Sequence, residues 1–61
     1  MIAAESPVKE IERHTVIATD LIRAAEEHEA ASRRRTAKNL RRRAAGHKAA
    51  ATRIARLQGW V

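Results

Sequence analysis

The chain has 61 residues, 13 lysines and arginines against seven aspartates and glutamates, a formal charge of +6 and no cysteine. This length points to one small domain, taken as residues 1–61, and argues against a classical enzyme; without cysteine there is neither a disulfide framework nor a thiolate metal site. Fourteen alanines make up about half of the hydrophobic residues, and the larger apolar side chains are Met1, Ile2, Val8, Ile11, Val16, Ile17, Leu21, Ile22, Leu40, Ile54, Leu57, Trp60 and Val61. So thin a core calls for a partner or a second copy to complete the fold.

At the start of the chain, Met1 to Val8 lacks the basic residues and hydrophobic stretch of a signal peptide, and no apolar run approaches the roughly 20 residues that span a bilayer. The expectation is a soluble, cytoplasmic protein with no membrane span. Ser6 and Pro7 then mark a helix start, because a serine hydroxyl can accept from free backbone amides and proline loses nothing at the first helical position. Beyond Pro7 the sequence contains glycine only at Gly46 and Gly59, so an all-α chain is predicted.

The first helix is predicted over about 7–31. At 100° per residue, Val8, Ile11, His14, Thr15, Ala18, Leu21, Ile22 and Ala25 share one face, and Lys9, Glu12, Arg13, Asp20, Arg23 and Glu27 lie opposite. The second helix is predicted over about 36–58, where Leu40, Ala44, His47, Ala51, Ile54 and Gln58 step by four and three residues. These two stripes are out of phase across the middle of the chain. A turn within about Ala31 to Thr36 accounts for the slip, with Ser32 or Thr36 as the second N-cap; one long bent helix of about 75 Å is the alternative. A helix-turn-helix bending at Gly46 fits less well, because the position four residues earlier is the bulky Arg42.

An antiparallel hairpin would bring the large side chains of Val8 to Ile22 beside those of Ile54 to Val61, with Trp60 on Val8 and Ile11, and leave the turn end weakly held. The interface is therefore expected at Val8, Ile11, Ala18, Leu21, Ile22, Leu40, Ile54, Leu57 and Trp60. Dimerisation into a four-helix bundle is the simplest way to cover it, with Ala24, Ala25, Ala44 and Ala51 permitting close backbone approach.

Charge is strongly segregated. Up to Ala31 there are three basic residues and all seven acids; beyond it there are ten basic residues and no acid. A turn centred near residue 34 would set Glu26, Glu27 and Glu29 near Arg42, Arg41 and Asn39, and it would put His47 opposite Leu21. Seven acids cannot match every cation, so Arg33, Arg34, Arg35, Lys48, Arg53 and Arg56 are expected to remain largely free.

The function expected is contact with nucleic-acid phosphates through Arg33, Arg34, Arg35, Lys38, Asn39, Arg41, Arg42, Arg43, Lys48, Arg53 and Arg56, since the planar guanidinium fork offers two hydrogen bonds to a phosphate or a guanine edge. In composition, the stretch 32–43 resembles the short arginine-rich peptides that phage antiterminators and viral export factors insert into RNA helices, and the resemblance implies Asn39 as a base reader. The alternative is a structural or interaction subunit whose basic helix docks on an acidic protein. DNA and RNA are not distinguished by these residues.

No cofactor and no small-molecule substrate is expected. His14 and His28 stand about 21 Å apart along one helix, too far to share a metal, and a histidine site would need equivalent residues from other copies. Glu26, Glu27 and Glu29 around His28 read as a solvated acidic face rather than an acid and base pair, and no nucleophile set or glycine-rich phosphate loop is present.

Overall fold

Two helices of equal length fold back on one another. The structure, a computed structural model, describes residues 6–61; Met1, Ile2 and Glu5, counted above with the apolar and acidic residues, lie outside them. α1 spans Pro7–Ala30 and α2 spans Arg34–Leu57, and the two pack along their length as a hairpin. α1 starts as its sequence dictates: the Ser6 hydroxyl accepts the Lys9 amide at 3.2 Å, and Pro7 takes the first helical position.

Both helices stop by the same device. Ser32, at φ 63°, donates its amide to the Glu29 carbonyl at 2.9 Å, and Arg33 donates to His28 at 2.8 Å. Gly59, at φ 76°, donates to Arg56 at 3.0 Å, and Trp60 donates to Ala55 at 2.9 Å. This is the paired hydrogen-bond pattern of a Schellman motif, which needs a left-handed residue just past the helix end. Glycine fills that place without strain in α2; at the end of α1 a serine occupies it.

The turn is thus tighter and earlier than expected. It occupies Ala31, Ser32 and Arg33, and α2 begins at Arg34 rather than near Thr36. Neither Ser32 nor Thr36 caps α2: the N-cap is Arg33, which makes no side-chain cap hydrogen bond. α2 runs unbroken through Gly46, which excludes the helix-turn-helix reading, and the break at Ser32 excludes one long helix.

Moving the turn forward changes the register. His47 faces His14, with their Nδ1 atoms 2.9 Å apart, and not Leu21. Counting outward from this pair in steps of four and three places Ala18 across from Ala44, Leu21 across from Leu40, and Ala25 across from Ala37. Among the described residues those four alanines are the buried apolar core, and Ala25 is fully excluded from solvent. Ala24 and Ala51, the other two residues expected to allow close approach, are half-buried.

The expected distribution of packing is therefore inverted. Ile11, Leu21, Ile22, Leu40 and Ile54 are half-buried, but Val8, Leu57 and Trp60 at the open end are 50, 78 and 53 % exposed, so Trp60 does not close that end. The alanines of the turn half are the residues small enough to be enclosed wholly between the two helices, whereas the larger residues of the seam remain partly exposed at its margins. Thr15 also leaves the predicted apolar face: it is exposed, and its hydroxyl donates to the Ile11 carbonyl at 2.8 Å.

The shape follows from two helices side by side. The chain measures 46 × 26 × 12 Å with a radius of gyration of 14.1 Å, against about 10.5 Å for a compact chain of this length. Its smallest dimension is about one helix diameter. A layer one helix thick can shield only its seam, which is why no large side chain among the described residues is fully buried.

Candidate nucleic-acid interface

Every basic residue of the second half is exposed: Arg33, Arg34, Arg35, Lys38, Arg41, Arg42, Arg43, Lys48, Arg53 and Arg56. Asn39 is exposed with them. Their arrangement follows from the helical period. Arg34, Arg41 and Lys48 recur every seven residues, about 10 Å apart, along the margin beside α1, and Arg35, Arg42 and Arg56 form a second row on the outer edge of α2. Lys38 and Arg53 flank the outer row, and Arg43 stands on the opposite margin.

Internal neutralisation is slight. Among the described residues the ion pair joining the helices is Arg41 with Glu29, at 2.9 Å between the guanidinium and Glu29 Oε1. The register expected Glu29 near Asn39 and Arg41 near Glu27; the earlier turn brings Arg41 to Glu29 instead. Both side chains are about half exposed, so the pair contributes about 0–1 kcal/mol and is weakened by salt. Glu26 and Glu27 do not pair with Arg42 or Arg41. The outer side of α1 mixes Lys9, Arg13 and Arg23 with Glu12, Asp20 and Glu27, whereas the outer side of α2 carries cations alone, so the hairpin has one mixed and one basic edge.

The first turn of α2 concentrates charge of an unfavourable sign. Arg33 at the N-cap and Arg34 and Arg35 behind it surround the positive end of the helix dipole, no acid stands in that turn, and the free amides have no side-chain cap. Each cation there opposes folding by up to about 1 kcal/mol at low salt. An anion that met these three side chains would relieve their mutual repulsion and accept from the free amides.

The sequence did not lead to the His14 and His47 pair. Both residues stand in the heptad slots of their stripes, so the signal was present, but facing positions expected to sum to about 68, where the His14 and His47 pair sums to 61, sent His47 to Leu21. His28 occupies the same seam nearer the turn, half-buried, and its Nδ1 is buried without a hydrogen-bond partner among the described residues. No group of three or more histidine, aspartate or glutamate side chains gathers around a common point among those residues.

No known protein family, no curated protein and no solved structure matches the chain. Among the described residues no helix is long and apolar enough to cross a membrane.

Proposed function

We propose that the protein binds nucleic acid, as a regulator or packaging factor, by laying the basic edge of α2 along phosphates. The observation that carries this reading is the exposure of all ten basic residues beyond Ala31, Arg33 at the N-cap and nine on a helix that contains no acid. Arg34, Arg35, Arg41, Arg42 and Lys48 would make backbone contacts that position the chain, and exposed Asn39 would serve as the base reader. The role is binding rather than catalysis.

A four-helix dimer is part of the same proposal. A second copy stacked on one broad face would cover half-buried Ile17, Leu21 and Leu40, and would leave both basic edges outward, doubling the charged surface. Sedimentation equilibrium on the free chain tests this part, with twice the 6.8 kDa chain mass expected.

Fluorescence anisotropy with a DNA duplex and an RNA hairpin, at about 50 and 200 mM salt, tests the binding. Six to ten phosphate contacts predict a loss of roughly 10³ to 10⁵ in affinity across that range. Binding with this slope that collapses in the triple variant Arg41→Ala, Arg42→Ala, Arg43→Ala supports the reading; no binding at low salt rejects it. A second reading rests on the exposed Leu57, Trp60 and Val61, which give the open end an apolar surface suited to a protein. In that case the basic edge docks on an acidic protein with fixed stoichiometry, and free nucleic acid does not compete.

A further inference from the structure

His14 and His47 come from different helices, 33 residues apart in sequence, and meet at the seam with Nδ1 to Nδ1 separated by 2.9 Å. Their ring centroids are 5.1 Å apart and the rings are inclined by 38°. Each ring contributes about 1.1 Å between its centre and Nδ1, so a centroid distance only about 2.2 Å longer than the nitrogen separation means the two atoms face one another almost directly. Neither ring makes another hydrogen bond among the described residues. A single proton therefore lies between two nitrogens: one ring is the Nδ1–H tautomer and donates, and the other accepts through its Nδ1 lone pair.

Two imidazole nitrogens held this close across two packed helices are also a chelating pair. We propose that His14 and His47 form a two-imidazole site for a divalent transition-metal ion of the copper or nickel class, which clamps α1 to α2. Binding needs no net loss of a proton: the ring that carried Nδ1–H becomes the Nε2–H tautomer, freeing its Nδ1 lone pair for the ion. With metal–nitrogen bonds of about 2.0–2.1 Å, a 2.9 Å separation subtends about 90° at the metal. That is the angle between neighbouring ligands in the tetragonal and octahedral geometries of Cu(II) and Ni(II). Tetrahedral zinc would require the nitrogens to open to about 3.3 Å, further from the observed separation. Both geometry and the intrinsic affinity order favour copper over zinc. Each ring need only rotate so that its lone pair meets the other's at the ion, and water completes the coordination, since no third ligand gathers there among the described residues.

The site lies on the seam, apart from the basic edge of α2, and so stands or falls independently of nucleic-acid binding. The test titrates Cu(II), Ni(II) and Zn(II) separately into the full chain in a non-chelating buffer and follows thermal unfolding by circular dichroism, stoichiometry by calorimetry and mass by sedimentation. The expected result is one ion per chain, no metal-induced change of mass, and a rise in Tm of about 10–20 °C at a hundredfold excess over Kd, larger for copper than for zinc and reversed by a chelator. His14→Gln and His47→Gln should each abolish the rise, and His28→Gln should leave it intact. No rise with any of the three ions, a rise that survives either seam variant, or one ion shared by two chains overturns the proposal. Should the seam variants fail to fold, electron paramagnetic resonance of the copper-loaded wild-type chain decides: coupling to two imidazole nitrogens is expected, and coupling to one or none refutes the site.

Discussion

Ser32 donates its backbone amide to the Glu29 carbonyl from a left-handed conformation, with φ of 63° and an N to O distance of 2.9 Å. The hydrogen bond closes α1, yet the conformation is one that a side chain bearing Cβ adopts at a cost of about 1 kcal/mol. Ser32→Gly should accordingly stabilise the hairpin by about 0.5–1 kcal/mol, and Ser32→Val should destabilise it by more. For a chain this short the glycine variant should unfold about 3–8 °C higher by circular dichroism. An unchanged midpoint would mean that the turn does not hold this geometry in solution.

The seam between Ala25 and Ala37 sets a second expectation. Both residues are buried, Ala25 completely, with no larger side chain sharing the space. Ala25→Leu inserts three carbons where two backbones already meet, and overpacking of this kind costs about 1–3 kcal/mol. Ala49→Leu, at an exposed position of α2, should change stability by less than about 0.5 kcal/mol. Urea unfolding of the two variants distinguishes a close-packed alanine seam from a loosely associated pair of helices, for which both substitutions would be equally mild.

Gly46 lies inside α2, and a Cβ built on it meets nothing within 4 Å. Its permissive backbone is not required by the hairpin. Gly46→Ala should raise the urea midpoint, at constant m, by the equivalent of about 1 kcal/mol through helix propensity alone. A fall in stability would instead locate the contact face of a second copy at this glycine, because only an intermolecular neighbour is close enough to reject the added methyl.

The legible parts of the fold were those carried by residues whose backbone chemistry is unusual. Ser6 with Pro7 marked the first helix start and Gly59 marked the last helix end, and the structure uses all three as their chemistry requires. The turn was harder to place because Ser32, not a glycine, adopts the left-handed conformation, and a serine reads more readily as an N-cap. That difference carried through to the register, hence to the partners of His47 and Arg41. Hydrophobic size also misled: Leu57 and Trp60 promised a packed open end, but two helices in one layer bury what lies between them, and there alanine fits. The charge division survived because it depends on which half of the chain a residue occupies and not on register.

Arg35 joins that charge division to stability. It stands in the first turn of α2 beside Arg33 and Arg34, at the positive end of the helix dipole, with no acid in the turn. Arg35→Glu replaces an unfavourable cation with a favourable anion, so it should stabilise the free hairpin by about 0.5–1 kcal/mol at low salt, and the gain should shrink as salt rises. On a polyanion the same change removes an attractive contact and adds a repulsive one. Affinity for a DNA duplex or RNA hairpin should therefore fall, and the slope of log K against log salt should become shallower by at least about one. The two effects have opposite signs, so a merely misfolded variant cannot imitate them. Thermal unfolding and anisotropy on one preparation provide the check: higher stability with unchanged affinity would remove the first turn of α2 from the binding surface.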